Sequence, residues 1–255
     1  MPALALVRTV HASPGLHRHK LCGTFSECVA LHSAAEFPHN RLLYYAGAIQ
    51  DSTGTGNDRC IGFVDGTFRP HARPSEFQEV TYNGHYRNHG FKFVSVVSPD
   101  GLMTFNYGPM EGRRHDSYVA TCGGLELEMQ NLATRVGESF NVYGDSAFPL
   151  TEHIQTGFNR GHATASEEAY TRAMNKARVS VEWGFMEVCT SFKYLDYRPQ
   201  LRPMASPIGK AYRVAICLRN FKTCLEGGQA CSYFKCMPPP LQEYVNWREV
   251  PEDQV

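Results

Sequence analysis

The first two thirds of the chain carry short apolar runs separated by turn-forming residues. The run Ile61–Val64 predicts a buried strand that stops at Asp65, which a glycine follows directly. The turn sequence at residues 98–101, Ser-Pro-Asp-Gly, lies between two β-rich runs and predicts a hairpin. Residues 139–145 predict another short strand that again ends in glycine and aspartate. Two aspartates therefore come at the ends of predicted strands.

Segments with apolar residues at helical spacing occupy most of the remaining chain. One helix is predicted around residues 34–50, and another begins near Asp116 but is weakened by two adjacent glycines. Residues 164–225 predict two long helices. The tail after Gly227 contains three consecutive prolines and is predicted to be extended. The order strand, hairpin, helix, strand, helices is typical of a mixed α/β layer fold, a sheet flanked by helices.

Composition narrows the class of protein. The 255 residues are 42% hydrophobic, enough for a sizeable core, and 25 basic residues balance 25 acidic ones, so net charge gives no sign of a nucleic-acid partner. No apolar run approaches the roughly 20 residues of a membrane span, and residues 1–10 are too short an apolar stretch for a secretory signal. We expect the nine cysteines to be mostly buried and reduced; a metal site at Cys231 and Cys236 lacks a second pair of zinc-finger spacing.

Four acidic residues lie at the end of a predicted strand, at the start of a predicted helix or where a helix would pack on the sheet. Open α/β sheets bind ligands outside the carboxyl ends of their strands. Asp65 and Asp145 follow predicted strands, Asp116 opens a predicted helix, and Glu182 lies beside the apolar stripe of a later helix. Clustered carboxylates with open positions suit Mg²⁺ or Mn²⁺. Asp65 could instead simply pair with Arg69, four residues on.

The other three acids also have structural interpretations. Asp116 could cap its helix, and Asp145 could belong to a turn. Glu182 could pair with Arg178, one helical turn earlier. The combination of the acids, and none of them alone, favours a metal site.

Five segments resemble the ordered blocks of Harbinger-type transposase nucleases, which are similar to the DDE superfamily endonuclease domain. They read "IGFVDGTFRPHARP", "YNGHYRNHGFKFVSVVSPDGLM", "YGPMEGRRHDS", "YGDSAFPL" and "RVSVEWGF". The resemblance covers about residues 40–240 and preserves the order of the blocks. It implies an RNase H-like α/β fold, a mixed sheet flanked by helices, with a two-metal nuclease site.

The resemblance also implies roles for the four acids. It makes Asp65, Asp145 and Glu182 the catalytic acids and adds Asp116 as a further metal ligand, with Mg²⁺ or Mn²⁺ as the cofactor. Two such ions can activate a water or a 3′-hydroxyl and stabilise the leaving oxygen of a phosphodiester. The expected activity is therefore cleavage of DNA by a metal-dependent endonuclease.

Basic residues lie close to these acids in the sequence, where phosphate contacts would position DNA. The residues that we expect to contact DNA are Arg69, Arg73, Lys92, Arg113, Arg114 and His115. A solvated charged surface is the alternative for the basic residues, and a structural role is the alternative for the histidine. The aromatic residues at 82–86 could stack on unpaired bases or simply pack.

The resemblance further implies how the chain is divided and where it acts. We expect residues 1–58 to be an N-terminal helical or irregular segment, the remnant of a truncated DNA-binding region, residues 59–227 to form the endonuclease domain, and residues 228–255 to form an extended tail. The expected partners are double-stranded DNA, a Myb-like DNA-binding protein and a second copy of the chain, with no membrane. The expected location is the nucleus.

Three functions stay open from the sequence. The first is an active metal-dependent endonuclease or transposase. The second is a domesticated or decayed descendant that binds DNA or a protein without cutting. The third is an unrelated Mg²⁺-dependent phosphohydrolase on a similar fold. Retention of all four acids favours the first over the second.

Overall fold

A computed structural model describes residues 37–159, 161–203 and 205–246. Within these residues, six strands form one mixed sheet. The strands are β1 (Cys60–Pro70), β2 (Tyr82–Asn83), β3 (Asn88–Val97), β4 (Met103–Glu111), β5 (Asn141–Tyr143) and β6 (Ile154–Gln155). The prediction for residues 1–10 lies outside the described residues, as does the start of the helix predicted around residues 34–50.

The sheet has the order β2-β3-β1-β5-β6, and β4 also pairs with β3. β1 and β3 are antiparallel, as are β3 and β4, which form the predicted hairpin around the turn at residues 98–101. β5 runs parallel to both β1 and β6. Because β1 is central and β5 is its parallel neighbour, the carboxyl end of β5 lies beside the middle of β1.

Helices flank this sheet. They are α1 (His39–Thr53), α2 (Gln78–Thr81), α3 (Asp116–Gly123), α4 (Leu125–Val136), α5 (Ala165–Ser191), α6 (Ile208–Glu226), α7 (Gln229–Phe234) and α8 (Leu241–Asn246). The predicted fold class, a mixed sheet flanked by helices, is confirmed. Within the described ranges, none of the helices combines the length and apolar character that crossing a membrane requires.

The longest helix, α5, begins at a capping box. The Thr164 hydroxyl accepts a hydrogen bond from the backbone N–H of Glu167, whose carboxylate accepts one from the backbone N–H of Thr164. Met174, Val181 and Val188 recur at intervals of seven and are fully buried, so one face of α5 packs on the sheet. The two long helices predicted within residues 164–225 are confirmed as α5 and α6.

α1 packs on the same core as the sheet. Its Leu42, Tyr45 and Ile49 are buried in the cluster that includes β1 and β3. At the hairpin turn, Asp100 is fully buried and accepts hydrogen bonds from the Tyr45 hydroxyl (2.6 Å) and from Arg41 (2.8 Å). A buried carboxylate needs such partners, and here they bind α1 to the β3–β4 hairpin.

The prediction that the first strand stops at Asp65 is wrong. Asp65 lies within β1 and pairs with Ser95 of β3, and the ladder continues to the pair of Pro70 and Gly90. The carboxylate does not end the strand because a long antiparallel partner holds the backbone beyond it. A single apolar run, which marks only the buried part of a strand, could not show this.

The helix predicted from Asp116 is in fact two helices. Gly124 adopts a left-handed conformation, with φ of 72°, and ends α3 before α4 begins at Leu125. Glycine takes this conformation without the steric cost that other residues meet. Gly124 therefore breaks the predicted helix in two.

The extended tail predicted after Gly227 is also wrong, because α7 and α8 lie there. Phe234 of α7 stacks on Phe63 of β1, with ring centroids 5.7 Å apart, and Tyr233 contacts Trp183 of α5. The three prolines fall between the two helices, where they break neither one. Burial against the core therefore makes this segment helical.

Candidate active site

Asp65 is central to the candidate site. Its side chain, 15% exposed, accepts a hydrogen bond from the backbone N–H of Gly66 (2.8 Å) and an ion-pair hydrogen bond from Arg178 of α5. Burial raises the pKa of Asp65 to about 6, against the opposing effect of Arg178 and the Gly66 N–H. The charges of Asp145 and Asp116 add smaller contributions to the rise, so both carboxylates lie near enough to act on Asp65.

Asp116 reaches the same part of β1 from α3. It is the first residue of α3, and His115, the residue before it, is the N-cap, so Asp116 is not the cap that its sequence position suggested. A Cβ atom on Gly66 would lie 2.1 Å from the Asp116 Cγ, which means that the acid occupies the space of a missing side chain. Lys92 of β3 donates to Asp116 Oδ1 at 2.6 Å.

Asp145 follows β5, whose last residue, Tyr143, is the parallel neighbour of Phe63. Its Oδ1 accepts the backbone N–H of Ala147 at 3.0 Å, which is the turn geometry expected of a Gly-Asp pair. Among the described residues, Oδ2 has no hydrogen-bond partner. A carboxylate fixed by a turn through one oxygen keeps the other for a ligand.

Glu182 is exposed on α5. Helical spacing puts it on the same face as Arg178 and Cys189, four residues before and seven residues after it. Arg178 contacts Asp65, and Cys189 contacts Arg69, so Glu182 lies between two contacts of α5 with β1. It is not among the charges that act most strongly on Asp65.

Both ion pairs offered as structural alternatives are wrong. Arg178 pairs with Asp65 and not with Glu182. Arg69, the expected partner of Asp65, donates instead to the Cys189 Sγ and the Thr67 hydroxyl. Arg178 and Arg69 each have a partner that is distant in the sequence, Asp65 and Cys189 respectively. Arg69 also contacts Thr67 on the same face of β1. A spacing rule for neighbouring residues does not predict the distant partners.

Carboxylate oxygens are suitable ligands for a hard divalent cation, but the carboxylates of this site are not arranged around one position. Within the described residues, no three His, Cys, Asp or Glu side chains lie where they could hold a metal ion as they stand. Two of the carboxylates are engaged by cations of the chain, since Arg178 binds Asp65 and Lys92 binds Asp116. Cys231 and Cys236 are buried free thiols.

The six residues expected at DNA take different environments. Arg73 is exposed and donates twice to Gln78, and His115 is exposed at the start of α3. Arg113 lies 3.5 Å from Glu111, with which Arg114 also pairs. These four positions are accessible to a ligand, whereas Lys92 is buried against Asp116 and Arg69 is held between β1 and α5.

An aromatic cluster adjoins the acids. Tyr86 stacks on Phe68 of β1 with ring centroids 4.6 Å apart, and the Lys92 Nζ lies 5.7 Å from the Tyr86 ring centroid. Tyr82 and Tyr86 are large exposed side chains. One face of the Tyr86 ring packs against Phe68, as expected if this residue has a structural role.

Two site features escaped the sequence analysis. Gly66 follows a short apolar run, which is typical of a turn residue. Its lack of a side chain makes room for the Asp116 carboxylate. The sequence suggests Arg178 only as a surface partner of Glu182, although it contacts the buried Asp65. The single available signal was a glycine directly after the first acid.

The acids lie outside two surface cavities. One is lined by residues that include Asn57, Asn141 and Tyr170, and the other by residues that include Glu187 and Arg219. Asp116 and Asp145 are half-buried, and Glu182 is exposed.

The family described as DDE superfamily endonuclease matches residues 64–220, more than half of the chain. The chain belongs to this family. The match begins next to Asp65, ends within α6 and spans all four acids, and the observed sheet with its helices is consistent with a DDE nuclease fold. The family indicates a nuclease, and DDE endonuclease domains generally use divalent metals. Comparisons with curated proteins and with solved structures each gave no match.

Proposed function

We propose that this chain is a Harbinger-type, divalent-metal-dependent DNA endonuclease. The observation that carries the proposal is the approach of two aspartates to Asp65, inside the region that matches the family: Asp116 fills the space beside Gly66, and the charges of Asp116 and Asp145 both act on Asp65. The three aspartates come from β1, from the start of α3 and from the end of β5. Three separate segments that bring like charges together are typical of functional sites, since such an arrangement disfavours folding unless a ligand uses it.

Asp65, Asp116 and Asp145 are the residues that would hold the metal ions, and Glu182 of α5 would complete the set. Bound Mg²⁺ or Mn²⁺ would supply an activated nucleophile and stabilise the leaving oxygen of a phosphodiester. Backbone N–H groups orient two of these ligands. The Gly66 N–H donates to Asp65, and the Ala147 N–H donates to Asp145. The catalytic residues in this proposal are Asp65, Asp145 and Glu182.

The substrate in this proposal is double-stranded DNA. Arg73, Arg113, Arg114 and His115 are at least partly exposed near the acidic segments and would contact phosphates without reading sequence. A chromosomal substrate implies action in the nucleus. Recognition of particular DNA ends would come from a Myb-like partner, and a second copy of the chain would serve a second end.

A second candidate function has an observation of its own. Asp65 and Asp116 are already neutralised by Arg178 and Lys92, as they would be in a descendant that binds DNA or a protein without cutting.

One set of assays on a single protein preparation separates these candidates. The protein is incubated with supercoiled plasmid and with a small phosphate ester, each with Mg²⁺ or Mn²⁺. The endonuclease proposal expects nicked plasmid and intact ester. Plasmid binding without nicking would favour the non-catalytic descendant, and ester hydrolysis with intact plasmid would favour the phosphohydrolase.

A further inference from the structure

Two cations of the chain lie in the acidic cluster. Arg178 of α5 pairs with Asp65, and Lys92 of β3 pairs with Asp116. We propose, resting on the endonuclease function above, that Arg178 and Lys92 hold these carboxylates before metal binds and then turn to the substrate phosphate. They are thus phosphate-binding residues that also hold the acids in place.

Lys92 is buried with its charge against the acidic cluster. Its side chain is 8% exposed, and its Nζ lies 2.6 Å from Asp116 Oδ1. On the strand it pairs with Phe68 of β1 and Met110 of β4, so its backbone is fixed in the middle of the sheet. A buried ammonium group is costly without an anionic partner, and a fixed backbone prevents it from leaving. When a metal ion takes Asp116, a phosphate oxygen can replace that partner.

Arg178 carries a donor that the present contacts leave unused. One of its terminal nitrogens donates to Asp65, while its Nε is buried and has no hydrogen-bond partner among the described residues. A buried donor without an acceptor is unfavourable, and guanidinium groups bind phosphate through two parallel N–H donors. The Nε of Arg178 is therefore free to donate to a phosphate oxygen beside Asp65.

The balance of charges gives the reason for two extra cations. Four ionised carboxylates cancel the charge of two divalent ions, so a loaded site without other residues would be neutral. Arg178 and Lys92 leave a surplus of two positive charges. A phosphodiester brings one negative charge and gains more as the nucleophile adds, so the surplus favours both binding and the transition state.

The first test measures metal binding without DNA. Mn²⁺ is titrated calorimetrically into wild type, Arg178→Gln, Lys92→Met and the control Lys176→Gln, which changes an exposed cation on the same helix. Loss of a competing cation should tighten Mn²⁺ binding about tenfold in the first two variants and leave the control unchanged. Unchanged or weaker Mn²⁺ binding in both variants would overturn the inference.

The second test measures DNA binding in Ca²⁺ and in EDTA against salt concentration. With Ca²⁺ bound, Arg178→Gln should lose about one unit of log–log salt slope, the contribution of one phosphate contact. In EDTA the slope should match wild type, since Arg178 is then engaged with Asp65. An equal loss of slope in both conditions, or in neither, would contradict the exchange of partners.

Because Arg178→Gln and Lys92→Met could fail to fold, a third variant keeps the positive charge at position 178. Arg178→Lys should bind Mn²⁺ like wild type, yet bind DNA in Ca²⁺ more weakly, because an ammonium group lacks the paired donors of arginine. Wild-type DNA affinity in Arg178→Lys would count against direct phosphate contact. A wild-type protein that nicks plasmid while the variants bind Mn²⁺ unchanged would refute this inference alone. Absence of both Mn²⁺ binding and nicking in wild type would refute the proposed function with it.

Discussion

The carboxylate of Asp116 fills the position where Gly66 would carry a side chain, since a Cβ on Gly66 would lie 2.1 Å from the Asp116 Cγ. No real Cβ atom comes that close to another carbon, so α3 can approach β1 here only because position 66 is glycine. The contact brings Asp116 next to Asp65, whose pKa its charge helps to raise. A strand glycine thereby sets the spacing of two candidate metal ligands.

Gly66→Ala should displace Asp116 and weaken metal binding while leaving the fold intact. We expect Mn²⁺ affinity to fall about 10- to 100-fold, the range seen when the orientation of metal ligands is disturbed. Calorimetric titration of Mn²⁺ checks this, with circular dichroism to verify folding. Gly84→Ala is the matched control, because nothing lies within 4 Å of its added Cβ. Equal Mn²⁺ affinity in both variants would show that Asp116 is not a ligand.

Asp65 should make the stability of the metal-free protein depend on pH. Its folded pKa of about 6 lies above the unfolded value of 3.8, so the folded state binds the proton more tightly. Stability should therefore fall as pH rises from about 4 through 6, by roughly 1–3 kcal/mol.

Asp65→Asn, which resembles the protonated acid, should remove most of this dependence. Chemical denaturation in EDTA should find the variant more stable than wild type at pH 8 and equal to it near pH 4. Mn²⁺ should stabilise wild type much more than the variant. A wild type whose stability does not decline between pH 4 and pH 7 would contradict the raised pKa.

Arg113 tests the proposed path of DNA with little disturbance to the fold. It is exposed and makes the looser contact with Glu111, at 3.5 Å, so its loss should cost under about 1 kcal/mol of stability. Arg113→Ala should weaken non-specific DNA binding and lower the log–log salt slope by up to about one. Lys222→Ala removes a comparable exposed cation on α6 and should leave the slope unchanged. Equal slopes for both variants would place the DNA elsewhere.

Phe234 tests whether the C-terminal helices belong to the core. The side chain is 4% exposed and stacks on Phe63 of β1. Phe234→Ala should lower the free energy of unfolding by about 3–5 kcal/mol, as for other buried aromatic side chains. Leu225→Ala, which truncates a side chain that is 68% exposed, should change it by less than about 0.5 kcal/mol. Similar effects in both variants would contradict the packing of α7.

The sequence predicts the elements whose pattern is local. The hairpin follows from Pro-Asp-Gly chemistry at its turn, and α5 and α6 follow from apolar residues at helical spacing. β1 runs past Asp65 because β3 pairs with it, and α7 is helical because Phe234 is buried. Long-range pairing and burial decide both features, and neither leaves a mark in a short window of sequence.

The candidate site shows the same limit. All four acids could be singled out from their places beside glycines, helix starts and apolar stripes. Their cationic partners could not, since Arg178 and Asp65 lie 113 residues apart. A spacing rule selects Glu182 for Arg178, but the fold brings Asp65 closer.

Metal-dependent nicking of supercoiled plasmid by wild type and Asp145→Asn tests the central claim most directly. Asp51→Asn, a change at an exposed acid of α1 away from the site, is the matched control. With Mn²⁺ we expect wild type and Asp51→Asn to nick at the same rate and Asp145→Asn to be slower by about a thousandfold, while DNA binding stays intact. EDTA should stop the reaction in every case. Nicking by Asp145→Asn at the wild-type rate, or no nicking by a folded wild type that binds Mn²⁺ and DNA, would contradict a metal-dependent endonuclease built on these acids.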